Sequence, residues 1–307
     1  MARNWIQAWK KTKTFCGPQR NEAWRFVHMQ TIPLEDELGD VLEKGLRCAG
    51  LTVEDLSRLT EVPLARLRDA IDYRSDLSAA ELVRIARTLG LNEVGLCALG
   101  GSGYPSAQIG SLPFCVKALH MRHGIGVANA FLVTECGANH GILFDVGPGF
   151  KVLMADWPAE VSTVDAIFLT HAETEHAGGL QAAMRHFCAA QVFHPAAINL
   201  PCGVPVEEPK VISIGAFEIR VLSTPGHAHA HNCYLVTSRA ARSGNGLLIA
   251  GDLVFAGSAG GGYYCPKQSQ GQLRRVIDLV SPETVIAPGH GPLTTASHER
   301  RYNPFLG

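Results

Sequence analysis

Apolar positions fall into two regimes along the chain. Between residues 33 and 99 they recur at three- and four-residue steps, the period of an amphipathic helix. Leu38, Val41, Leu42 and Leu46 share one face of a helix predicted over 34–46. Thr52 precedes Glu54 and Asp55, an N-cap with acids in the first turn. Pro63 suits the opening turn of the next helix, followed by Leu64, Leu67 and Ile71. Ser78 with Glu81 reads as a capping box for a helix running to Leu89, where Gly90 is a natural stop. Residues 100–112, GGSGYPSAQIGSL, read as a linker. From 113 to 307 the pattern changes to short apolar runs alternating with helices. Strands are predicted at 130–134, 141–145, 165–170, 217–222, 233–237, 247–250 and 284–287, with a helix over 180–188, so this part is α/β.

Length and charge refine that division. A chain of 307 residues holds about two domains. With 46% hydrophobic and 18% charged residues, it is neither disordered, collagenous nor a coiled coil. No apolar run approaches the roughly 20 residues that span a bilayer, and the first fifteen residues carry charge without an apolar stretch, so neither membrane span nor secretory leader is expected. The nine cysteines are scattered without a CxxC pair, which reads as buried thiols of a cytoplasmic protein. The net charge of −1 conceals an asymmetry. Residues 1–32 carry +5 together with Trp5, Trp9 and Trp24, while residues 33–99 carry −5. The arm is read first as packing its aromatics on the body or on a second subunit, making a homo-oligomer, and second as a basic contact to nucleic acid.

The stretch AGLTVEDLSRLTEVPLARLRDAIDYRSDLSAAELVRIARTLGLN resembles the helix-turn-helix domain of the lambda-repressor-like family. The resemblance implies a supporting helix at 52–59, a recognition helix at 63–73, and Arg66, Arg68 and Arg74 as DNA contacts. The acidic balance of the segment, with Asp69 and Asp72 inside the would-be recognition helix, opposes that role. A structural or dimerising use is the preferred reading, with DNA as partner the less favoured one.

The chemistry lies further on. Twelve of the 13 histidines follow residue 119. His171, Glu173, Glu175 and His176 follow the 165–170 strand, His227 follows the strand residues 221–224, Asp252 follows 247–250 and His290 follows 284–287. Seven donors at four strand ends, flanked by Gly or Pro, suit a metal site carried on loops of a rigid sheet.

FLVTECGANHGILFDVGPG, VDAIFLTHAETEHAGGL, STPGHAHAH, LLIAGDLVFAGS and VIAPGHGPLTTASHERRYNPFL resemble, in order, the motifs of the metallo-β-lactamase superfamily, and within it the short glyoxalase II-like hydrolases. The resemblance implies an αββα sandwich with two divalent metal ions at one edge. Carried over by position, the first metal takes His171, Glu173 and His227, the second Glu175, His176 and His290, and Asp252 bridges them. A bridging water of lowered pKa would attack an ester, thioester or lactam carbonyl of a small-molecule substrate, with Asp252 and Glu175 as the catalytic carboxylates. Asp145 is expected to support the metal loops, and His231 to orient a ligand or the substrate. The chain departs from the usual HxHxDH at Glu173 and Glu175. Extra carboxylates favour iron or manganese over zinc, and HxExDH is similar to the motif of the flavodiiron proteins. A diiron oxidoreductase or oxygenase, and a DNA-binding regulator with a metal-domain sensor, therefore stand as alternatives to a hydrolase. The segment AGSAGGGYYCPKQSQGQ lacks the basic residue and acid of the glyoxalase II-like pattern, which argues against glutathione thioesters, and offers Tyr263 and Tyr264 as pocket residues.

Overall fold

The computed structural model describes residues 32–307 except 102, 124–125, 189 and 241–244. The aromatic and basic positions of the arm therefore lie outside the described residues, as does any subunit contact through them.

Five helices come first: α1 (Leu38–Ala49), α2 (Val53–Thr60), α3 (Leu64–Ile71), α4 (Ala79–Leu89) and α5 (Glu93–Gly100). The local signals set their ends. Thr52 caps α2 and Ser78 caps α4, each by accepting from the backbone N–H three residues on, and Gly50 and Gly90 close α1 and α4 in the left-handed region. The first helix starts at Leu38 rather than 34, because Glu37 and Asp40 form its capping box. The arginines of the proposed recognition element are engaged with carboxylates: Arg66 with Glu81, Arg68 with Glu54, and Arg74 with Asp69 and Asp72.

Two sheets follow. The first runs in spatial order β1 (Cys115–His123), β2 (Gly126–Thr134), β3 (His140–Phe144), β4 (Thr163–Phe168), β5 (Gln191–Pro195) and β6 (Val204–Val206). The second runs β7 (Val211–Ile214), β8 (Phe217–Ser223), β9 (Asn232–Ser238), β10 (Leu247–Gly251), β11 (Val285–Pro288) and β12 (Thr294–Thr295). Phe131, Phe144 and Phe168 of the first sheet pack against Phe217, Tyr234 and Ile249 of the second to form the inner core. Outside the first sheet lie α6 (Phe150–Ala155), the short α7 (Thr174–Ala177) and α8 (Leu180–His186), with Leu153, Leu180 and Ala183 buried against Leu119, Leu143 and Ile167. On the outer face of the second sheet, α9 (Pro266–Leu279), α10 (Ala296–Tyr302) and helices α1 to α5 share one continuous core. Leu42, Leu56, Leu67 and Ile85 belong to the same cluster as Leu222, Leu248, Leu273 and Ile286. Residues 103–112 have no helix or strand, yet Tyr104 packs edge-on to His298 and Tyr302.

One sequence reading is corrected. Cys115 and Cys136 form a disulfide with Cα atoms 5.3 Å apart. The antiparallel register sets Cys115 opposite Thr134, two residues short of Cys136, which brings the pair into bonding range. The scatter of cysteines along the sequence hid this pairing, and cysteine usage no longer supports a reducing compartment. Among the described residues no helix is long and apolar enough to cross a membrane.

The two sheets meet where the strands of interest end. Asn129 on β2 is buried and donates from its side chain to Pro288 O at 3.0 Å and Gly291 O at 2.9 Å, while its backbone N–H donates to Gly289 O at 2.7 Å. Gly289 has no room for a side chain: a Cβ there would lie 2.1 Å from Asp252 Oδ1 and 2.8 Å from His176 Cε1. Gly289→Ala is expected to cost about 1–3 kcal/mol of stability in urea melts; a variant as stable as the parent would contradict this packing. In the helical part, the Arg66 guanidinium, helped by Ser78, holds the Glu81 carboxyl down at about 2. A depressed carboxyl stabilises fully above its ordinary value of 4.5, and the gain is lost as pH falls through the folded value. Glu81→Gln is thus expected to lower stability by about 1 kcal/mol near neutral pH, a difference that shrinks as pH falls from about 5 to about 2; a pH-independent difference would refute it.

Candidate metal centre

Four loops at strand ends deliver the polar groups. The residues after β4 carry His171, and α7 carries Glu175 and His176. His227 follows β8, Asp252 follows β10 and His290 follows β11. Among the described residues, two groups of donor atoms lie within 4.8 Å of one another: His171, His176 and Asp252, and His171, Glu173 and His227. His290 stands beside the first, its Nε2 3.5 Å from Asp252 Oδ2 and 3.3 Å from His176 Nε2. His227 Nε2 lies 3.2 Å from Glu173 Oε1 and 3.6 Å from Asp252 Oδ2. Asp252 therefore sits between the groups. Glu175 is half-buried and lines the same cavity, but its carboxylate joins neither group.

The imidazoles are aimed by their other nitrogens. Asp145 is buried, with φ of 59°, and accepts from Thr170 N–H and Thr170 Oγ1–H, each at 2.8 Å, and from His176 Nδ1–H at 3.1 Å. With its own proton directed at Asp145, Thr170 Oγ1 accepts from His171 Nδ1–H at 2.9 Å. His290 Nδ1–H donates to Val127 O at 3.0 Å. Each assignment puts an Nε2 lone pair on the cavity side. His231 is buried behind the site, where it donates from Nδ1 to Thr224 Oγ1 at 2.7 Å and accepts the Asp252 N–H at Nε2, at 3.2 Å. It fixes the Asp252 backbone, and burial pushes its pKa down to about 3, so it stays neutral.

Burial and charge pull in opposite directions across the site. Burial and the neighbouring His176 hold His171 well below the ordinary imidazole value. Burial also opposes protonation of His176 and His290, but the Asp252 carboxylate outweighs it and raises both. Asp252 is driven well below the usual carboxylate range; burial would raise it, and the facing His176 and His290 win. His171 Nε2, both nitrogens of His227 and Asp252 Oδ1 are buried with no hydrogen-bond partner.

The donors open into a cavity of about 260 Å³. Tyr263 stands on its rim, 71% exposed, whereas Tyr264 does not line it and instead stacks edge-on to the exposed His229. One wall comes from the helical part: Glu35, Asp36, Asp40, Glu43, Lys44 and Arg47 all line the cavity. Lys44 pairs with Asp36 and donates to Ala259 O at 2.8 Å, and Arg47 donates to Gly261 O at 3.1 Å. Sequence reasoning missed this wall, because the contacts join positions more than 200 residues apart. Thr170 was missed as well, although its place directly before His171 was the available clue.

A family model described as "Metallo-beta-lactamase superfamily" matches residues 123–290. An uncharacterized protein of Mycobacterium tuberculosis is 25% identical over 212 residues, covering 60% of this chain and 94% of that protein. A hydroxyacylglutathione hydrolase of Aeromonas salmonicida is 30% identical over 155 residues, 50% of this chain and 57% of that enzyme, so the match spans little more than half of it. Among solved structures, the BLEG-1 B3 metallo-beta-lactamase aligns with a TM-score of 0.51 at 25% identity, over 62% of this chain and 99% of that one. ETHE1 from Myxococcus xanthus, at 21% identity and a TM-score of 0.51 over 61% of this chain and 83% of its own, shares the fold. The strand-end donors, the paired sheets and a match over more than half of the residues lead to one conclusion: this chain belongs to the metallo-beta-lactamase superfamily.

Proposed function

We infer that the chain is a binuclear metal-dependent hydrolase of a small ester, thioester or lactam. The observation that carries the reading is the set of buried donor atoms that make no hydrogen bond although they lie beside one another's clusters: Nε2 of His171 and His227, and Oδ1 of Asp252. A buried polar atom left unsatisfied costs roughly 1–3 kcal/mol, and a divalent cation is the ligand that suits imidazole lone pairs facing a carboxylate. His171, Glu173 and His227 would hold one ion, and Glu175, His176 and His290 the other, with Asp252 shared. Three carboxylates among seven donors suit iron or manganese as well as zinc. When bound, such ions would supply Lewis acidity and a water of lowered pKa.

The protein's own part is orientation. Asp145 and Thr170 keep His171 and His176 in the tautomer whose Nε2 faces the cavity. His231 fixes the backbone that carries Asp252. Glu175, on the cavity wall, is assigned to orient the reacting water. The Phe255 ring supplies an apolar surface for the acyl part of the substrate.

A second reading has its own support. Glu173 lies in one cluster with His171 and His227, an oxygen donor that suits a diiron oxidoreductase. A DNA-reading regulator would have to release Arg66, Arg68 and Arg74 from the carboxylates they hold.

Metal analysis with optical spectroscopy and ester or thioester turnover separates the first two. Hydrolysis by protein whose metal shows no iron charge-transfer band supports the hydrolase; iron with oxygen consumption and no hydrolysis overturns it. His171→Ala and Asp252→Ala are each expected to lose metal and at least about 100-fold in kcat/KM together. Full metal content in either variant would refute the ligand assignment.

A further inference from the structure

The charge of the cavity wall points to a substrate class, an inference that rests on the metal-centre reading above. Seven carboxylates and two basic side chains line the cavity. Glu173, Glu175 and Asp252 would be offset by two divalent ions, whose one surplus positive charge a bound hydroxide would cancel. Asp36 is offset by Lys44, whose ammonium also donates to Ala259 O and lies 5.3 Å from the centre of the Phe255 ring. Arg47 is tied to Gly261 O and to the Tyr263 ring, 5.7 Å from its centre, partners that hold it in place without cancelling its single positive charge. Three carboxylates of the helical wall then stand against one guanidinium, an excess of two negative charges. Asp40 accepts from Tyr73 Oη–H at 2.6 Å and from Glu37 N–H at 2.9 Å, neither of which brings charge. Glu43 is exposed and has no hydrogen bond or ion pair among the described residues. Glu35 faces the centre itself, with Oε1 3.7 Å from His290 Nδ1.

An acidic cluster alone would mean little. Here it forms one wall of a cavity whose floor holds buried, unpartnered donors of His227 and Asp252. Low-dielectric walls around like charges focus the field on whatever enters. We propose that the site selects substrates with a cationic group, a protonated amine or guanidinium, a few atoms from the scissile carbonyl, with Glu35 and Glu43 as its counter-ions. The helical wall is then the part of the chain that sets specificity, and it disfavours anionic thioesters.

Three length-matched hydroxamates test this by calorimetry on the metal-reconstituted full chain: β-alanine hydroxamate (cationic), butyrohydroxamic acid (neutral) and succinic monohydroxamic acid (anionic). The cationic probe is expected to bind about five- to tenfold more tightly than the neutral one, and the neutral one more tightly than the anionic. The ordering should shrink as salt rises from about 0.05 M to about 0.5 M. It should collapse to within about twofold in Glu35→Gln/Glu43→Gln. The exposed single variant Glu43→Lys, which spares the fold, should weaken the cationic probe and strengthen the anionic one. Equal affinities, or tightest binding of the anionic probe through Arg47, would overturn the proposal while leaving the metal centre standing. Failure of all three probes to bind would overturn the metal-centre reading and this inference with it.

Discussion

The buried carboxylate of Asp145 is the constraint on which the centre depends. A carboxylate removed from water is costly unless its lone pairs are used. This one is satisfied by Thr170 twice and His176 once. Its backbone is stitched to β4 through Asp145 N–H to Phe168 O at 2.8 Å, and the next residue ties to α7 through Val146 N–H to His176 O at 2.7 Å. The left-handed φ of 59° at Asp145 turns the chain out of β3 at that point, a conformation that aspartate tolerates better than most residues. Strand end, histidine loop and short helix are thereby locked as one unit, and the tautomers of His171 and His176 follow from it. The opposite side of the centre is fixed independently, by Asn129 on the 288–291 turn and by His231 behind Asp252.

Much of this is legible in the order of residues alone. The strand-end positions of His171, His227, Asp252 and His290 could be read because buried strands are short apolar runs and the polar residue that ends each is conspicuous. The caps at Thr52 and Ser78 were legible because capping is local chemistry. Strand β1, CVKALHMRH, was not, since Lys117, His120 and Arg122 break up its apolar run and fall on both faces, leaving no two-residue period. Helix α9 was obscured by its Gln- and Ser-rich first half and by Gly271. Strands β6, β7 and β12 have two to four residues, too few for a period. The disulfide and the helical wall depend on long-range register and docking, which no local pattern encodes.

The helical part presents a contrast between sequence and structure. Its sequence resembles a nucleic-acid reader, while its apolar face is spent on the outer layer of the second sheet and one edge on the cavity. The arginines expected to meet phosphate instead hold carboxylates at 2.6–2.8 Å. Such exposed pairs add little stability, about 0–1 kcal/mol each, but they neutralise the face that a polyanion would need.

The shared core of the helices and the second sheet has a thermodynamic consequence. Elements that bury one another unfold together, so the helices and the strands beneath them behave as a single cooperative unit. A ligand held only by the folded cavity stabilises that whole unit by mass action, about 2.7 kcal/mol at a hundred times its dissociation constant. Occupancy of the centre is therefore felt as slower amide exchange in helices such as α4, which line no part of the cavity.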